Sequence, residues 1–156
     1  MSYTLRAIIS TREVLRGRSE DGFDYVELNG GLMMLLLISD LRTRLGIPDL
    51  PLADQPDQPG VPEPLAALCR KLSQRGLVAY LEPEFWCGQG MQAHALFRAG
   101  AGLGFPVVAE HAINQALRQF GVRPGVHRDE FDAVGLGRHR ETDQWVDERF
   151  LSQPLG

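Results

Sequence analysis

The densest set of side chains able to do chemistry is Tyr80-x-Glu82-x-Glu84, followed by Trp86-Cys87-Gly88-Gln89-Gly90-Met91-Gln92. Side chains alternate along a strand, so Glu82 and Glu84 share one face with about 7 Å between them. Two carboxylates that close can act as an acid/base pair, as in glycoside cleavage, if burial raises the pKa of one. The competing reading puts both on the solvent face of an edge strand, where the missing N–H of Pro83 points outward harmlessly. In that position they suit a cationic partner surface.

A second polar stretch runs from Asp129-Glu130-Phe131-Asp132 to Gly135-Leu136-Gly137-Arg138-His139-Arg140. His139 stands between two arginines whose charge opposes a metal cation. Arg138 and Arg140 could hold a phosphate or carboxylate. Alternatively they pair with Asp129, Asp132 and Glu82 or Glu84 in an internal network that ties a turn-rich tail to the body. Gly88-x-Gly90-x-x-Ala93 has the form of a dinucleotide fingerprint. The segment after it is too short for a crossover helix, so its glycines are assigned to a hairpin turn. His94, His111 and His127 are isolated and are expected to be structural or solvated. Neither a G-x-S-x-G elbow, an H-E-x-x-H helix nor a Walker loop occurs. No cofactor and no metal are expected.

These residues need elements to position them. Tyr3 to Ser10 alternates as a strand, and Ser10-x-x-Glu13 matches a capping box opening a short helix that Gly17 can close. Phe23 to Leu28 and Leu32 to Ser39 read as strands joined at Asn29-Gly30, a type I′ hairpin signal. The second is apolar on both faces and therefore central. Asp40 can cap a helix ending at Gly46. Six of the ten prolines fall between Ile47 and Pro64, which makes 47–64 a long Pro-rich surface loop. Pro64 opens a helix striped by Leu65, Leu68 and Leu72 and stopped by Gly76. Leu77 to Phe85 and Met91 to Arg98 read as a hairpin turning at Cys87 to Gly90. Ala109 to Phe120 reads as a helix ended by Gly121, and a last helix is expected around Trp145 to Phe150. This order predicts a single α+β domain over residues 1–156, with a largely antiparallel sheet and helices packed on one face.

The chain has 156 residues, 44% hydrophobic and 23% charged, which suits one folded domain and excludes the composition of disorder. Net charge is −4, so an electrostatic grip on nucleic acid or on an anionic membrane is not expected, and a basic partner is better matched. Fifteen of the sixteen basic side chains are Arg, Lys71 being the exception; GC-rich coding bias is the simplest reason. No secretory leader is apparent at the N-terminus, and the longest apolar run, Leu32 to Ile38, is far short of the roughly 18–20 residues of a membrane span. A cytoplasmic location is expected, with Cys69 and Cys87 as reduced thiols.

The strings YLEPEFWCGQGMQ from Tyr80, AINQALRQFGV from Ala112 and DEFDAVGLGRHRETDQW from Asp129 resemble a group of small bacterial proteins of GC-rich genomes. The similarity covers roughly the second half of the chain. In that group the aromatic-glycine turn and the acidic GLGRHR tail recur together, which implies that they meet in space. The group resembles in type the immunity proteins of polymorphic toxins: small, acidic, single-domain and without a catalytic signature.

The expectation is therefore a cytosolic binding protein, an immunity-type inhibitor that occludes the active site of a toxin with a basic surface. Its expected partner-binding residues are Glu82, Glu84, Trp86, Gln89, Gln92, Asp129, Glu130, Asp132, Arg138, His139 and Arg140. The alternative is a small enzyme acting on a phosphorylated or nucleotide-like molecule, with Glu82 or Glu84 as base and Arg138 and Arg140 as an anion clamp.

Overall fold

The computed structural model describes residues 2–15, 23–52, 60–86 and 89–146, and of Trp86 and Gln89 the backbone alone. Apolar residues at consecutive positions set the architecture: Ala7-Ile8-Ile9, Leu32 to Leu37 and Val78 to Leu81 present apolar side chains to both sides of a strand. Such strands need cover on both faces. Strands β1 (Ser2–Thr4), β2 (Ala7–Thr11), β3 (Asp24–Glu27), β4 (Leu32–Leu36), β5 (Val78–Trp86), β6 (Gln89–Arg98), β7 (Ala101–Gly102) and β8 (Val107–Val108) form one antiparallel sheet. The order is β3-β4-β2-β5-β6-β7, with β1 also on β5 and β8 also on β6. The helices are α1 (Arg12–Leu15), α2 (Ser39–Leu45), α3 (Glu63–Leu72), α4 (Ala112–Arg118) and α5 (Glu130–Ala133).

The α+β class and the antiparallel sheet are as expected. The cover is wider than expected, because helices pack on both faces. On one, Leu41 of α2 and Leu65, Leu68, Cys69 and Leu72 of α3 meet Ile8, Leu35, Val78 and Tyr80. On the other, Ile113, Ala116 and Leu117 of α4, with Val134, Leu136 and Trp145, meet Ala7, Ile9, Met34 and Leu81. No helix among the described residues is long and apolar enough to cross a membrane.

Several local expectations change. Ser10 lies in β2 and its hydroxyl donates to the Leu77 carbonyl at 2.6 Å, so tertiary pairing takes the side chain that a capping box would use. The β3–β4 turn holds three residues, Asn29 to Gly31: Leu28 N–H donates to Leu32, and positive φ falls on Gly30 and Gly31 rather than on Asn29. The first part of the Pro-rich stretch is not all surface, since Ile47 and Leu52 are buried in the α3-side core; 53–59 lies outside the described residues. The β5–β6 hairpin is longer than expected, with Phe85 opposite Gly90 and Trp86 opposite Gln89. Gly90 and Ala93 of the Gly88-x-Gly90-x-x-Ala93 pattern are therefore strand residues, while Gly88 lies outside the described residues.

Asp40 does not cap α2, which starts at Ser39 without a side-chain cap and ends at Gly46 with φ +74°. Gly17 and residues 147–150 of the expected last helix lie outside the described residues.

Candidate functional site

Strand β5 lies inside the sheet, between β2 with β1 on one side and β6 on the other. The edge-strand placement of Glu82, Pro83 and Glu84 is thereby corrected. Leu5 N–H donates to the Pro83 carbonyl at 3.3 Å, but Pro83 has no N–H to return. The Leu5 carbonyl is taken instead by the Arg6 guanidinium, Nη1 at 3.0 Å. Arg6 is 2% exposed, and it also donates through Nε to the Asp49 carbonyl at 2.7 Å and through Nη2 to Glu84 Oε2 at 3.0 Å.

Glu82 is 1% exposed, and its Oε1 accepts from the Tyr80 hydroxyl at 2.8 Å and from Leu52 N–H at 3.1 Å. Burial, and then the Glu82 carboxylate, push the Tyr80 hydroxyl well above its usual range, so it stays protonated and donating. Glu82 and Glu84 do share a face, as period two requires. A carboxylate as enclosed as Glu82 cannot lie on a partner's surface. The pair belongs to a braced polar cluster under the Asp49–Leu52 turn, in which Arg6 is the residue that sequence reasoning missed. The available signal was a charged residue inside the otherwise apolar strand run Leu5-Arg6-Ala7-Ile8-Ile9.

The Asp129 to Arg140 stretch packs on the opposite face. Asp129 caps α5, its Oδ1 accepting from Asp132 N–H at 2.9 Å. Glu130 is buried and accepts from Arg118 Nε at 2.7 Å, which holds its carboxyl below the usual range despite desolvation. Like Glu82, it is enclosed and does not present itself to a partner. Asp132 faces His127 at 3.5 Å. Arg138 stacks over Trp145 at 5.1 Å and donates to the outward Glu27 carbonyl of edge strand β3 at 2.9 Å, while His139 meets the same indole edge-on.

The tail is tied down mainly by backbone. Thr4 N–H donates to the Arg140 carbonyl at 2.6 Å, Arg6 N–H to Thr142 Oγ1 at 3.1 Å, and the Tyr3 hydroxyl to the Leu136 carbonyl at 2.7 Å. The expected ion pairs of Glu82 or Glu84 with Arg138 and Arg140 are replaced by Glu84–Arg6, because the two groups lie on opposite faces of the sheet. For the same reason the carboxylates and the arginine clamp of an enzyme do not converge.

A cleft of about 660 Å³ opens on the α4 side at the start of β6. Phe85, Gly90 and Gln92 supply its sheet side, Glu110, His111 and Asn114 its helical side, and Asp129 closes it. Gln92 is turned inward, its Oε1 accepting Ile113 N–H at 3.1 Å at the first turn of α4. Asn114 accepts Phe131 N–H at 2.9 Å and donates to Asp129 Oδ2 at 3.4 Å. Met91 and Val108 at its margin are about half exposed, at 48% and 49%. The cleft thus brings Phe85 of β5 and Gly90 of β6 beside Asp129. Sequence reasoning did not assign Glu110, His111, Met91 or Val108 to a partner-binding site. The pattern Val107-Val108-Ala109-Glu110-His111 shows an apolar pair followed by an acid, but nothing local marks it as facing β6.

His94, on β6, is 5% exposed, and its Nδ1 has no hydrogen-bond partner among the described residues. Desolvation lowers its pKa. The unfolded chain then takes up the proton at a higher pH than the folded chain. Stability from this group is fully present above the ordinary imidazole pKa and is lost as pH falls toward the depressed value. Urea titrations from about pH 8 to about pH 5 should show wild type losing more stability over that interval than His94→Gln; equal losses would show that His94 is not the group responsible.

No family model, curated protein or solved structure matches the chain.

Proposed function

We propose that the protein is a cytoplasmic binding protein of the immunity type, which captures a basic partner, such as a toxin, on the cleft beside α4 and occludes it. The observation that carries this reading is the make-up of that cleft: among its described lining residues are two carboxylates, Glu110 and Asp129, and no Arg or Lys, and the exposed apolar side chains of Met91 and Val108 flank them. Apolar anchors exposed beside charge of one sign are what a protein interface needs, because burial supplies affinity while complementary charge speeds capture and rejects wrong partners. The net charge of −4 and the resemblance in type to immunity proteins support the same reading.

The test is complex formation with the product of the adjacent reading frame. Wild type should co-elute with it and protect cells that carry it. Glu110→Lys and Met91→Asp should keep the wild-type melting temperature yet bind at least about tenfold more weakly. The absence of any complex, with no loss of competitive fitness on deletion, would reject the reading.

A further inference from the structure

Strand β6 pairs with β5 along its length, and on its outer side with β8 at Ala93 and His94 and with β7 at Phe97 and Arg98. The outer ladder reaches one step further, where Ala109 N–H donates to the Gln92 carbonyl at 3.0 Å; the chain then turns away into α4. In an antiparallel ladder alternate residues direct N–H and C=O to the same side, so Gly90 points both groups outward as Gln92 does. Gly90 is exposed, no described residue bonds to it on that side, and the cleft lies against it. The absence of a side chain there has a steric cause. A Cβ would run into the Phe85 ring and lie 2.6 Å from the Glu84 carbonyl oxygen.

We propose that the cleft accepts an extended segment of a partner protein as an added strand along the start of β6. This rests on the binding-protein reading above and names the partner's chemistry. Successive side chains of such a strand point to opposite faces of the sheet. Those turned toward α4 meet Glu110 and Asp129, and basic residues fit there: Glu110 is exposed, and among the described residues Asp129 Oδ2 has only the 3.4 Å contact with Asn114. Those turned to the other face meet Met91 and Val108, and apolar residues fit there. The segment therefore alternates basic and apolar residues, its main chain bonding Gly90 while its side chains select it.

The probe is a short synthetic peptide of alternating arginine and valine, titrated against the full chain while backbone hydrogen exchange is followed. Wild type should bind it and gain protection at the Gly90 amide. Glu110→Lys should bind at least about tenfold more weakly. A peptide with glutamate in place of arginine, and one N-methylated along its backbone, should not bind. No binding of the arginine-valine peptide, or equal binding of its N-methylated form, would overturn strand addition. Binding without protection at Gly90 would also overturn it, while leaving the cleft as a binding surface. Absence of a complex with the adjacent reading-frame product would reject the immunity reading and leave strand addition standing.

Discussion

Replacing Arg6 with methionine is expected to lower the folding free energy by about 3–5 kcal/mol, the range for breaking a buried charged cluster by removing one member. The guanidinium satisfies the Leu5 carbonyl left single by Pro83, the Asp49 carbonyl and Glu84 Oε2. Methionine fills much of the volume but donates to none of them. Glu84 contributes the smaller share because its side chain is 35% exposed, so water screens it. Urea denaturation of Arg6→Met, Glu84→Gln and the double variant separates the two: Glu84→Gln alone should cost about 1 kcal/mol. A loss below about 1 kcal/mol for Arg6→Met would show that the cluster is solvated. At a temperature where both proteins are folded, Arg6→Met should bind the partner as wild type does, because Arg6 bonds to none of the residues that line the cleft.

Trp145→Ala should cost a comparable 3–5 kcal/mol, approximately, by leaving a large cavity in the α4-side core. The indole is fully buried, packed among Val134, Leu136 and Ile113, and stacked beneath Arg138. Trp145→Phe should cost much less, roughly 1 kcal/mol, because the Trp145 Nε1–H has no hydrogen-bond partner among the described residues. The same experiment reports on how the tail is held. If Trp145 anchors it, hydrogen exchange in Trp145→Ala should speed first at the amides of Thr4 and Arg6, which bond the Arg140 carbonyl and Thr142 Oγ1. Uniform acceleration across the sheet would show that the tail unfolds only with the whole domain.

Much of the architecture was legible. Amphipathic spacing marked α3 by Leu65, Leu68 and Leu72, and Gly46 and Gly121 marked helix ends through their positive φ. The consecutive apolar residues of β4 marked a strand inside the sheet, where it lies between β3 and β2. That same pattern calls for cover on both faces, whereas helices were expected on one face alone, and α2 and α3 lie on one side with α4 on the other. Ser10 misled because a serine three residues before a glutamate satisfies a local rule whether or not a distant carbonyl, here that of Leu77, claims its hydroxyl. Glu82 and Glu84 were rightly placed on one face. Their environment was not, because burial depends on which strands lie alongside, and Pro83 suggested an edge that Arg6 makes unnecessary.

The sequence by itself determined an acidic α+β domain with an antiparallel sheet, since composition and hydrophobic period are properties of the chain alone. Only the tertiary structure decided which charges meet. Arg6 and Glu84 are 78 residues apart, as are few pairs a local pattern could reveal, and the sheet's two faces separate Glu82 and Glu84 from Arg138 and Arg140. The cleft arises in the same way, where β6 continues after the chain of β8 has turned into α4, leaving Gly90 beside Glu110 and Asp129. Strand order and the point at which a ladder ends are set by long-range packing, which residue spacing does not encode.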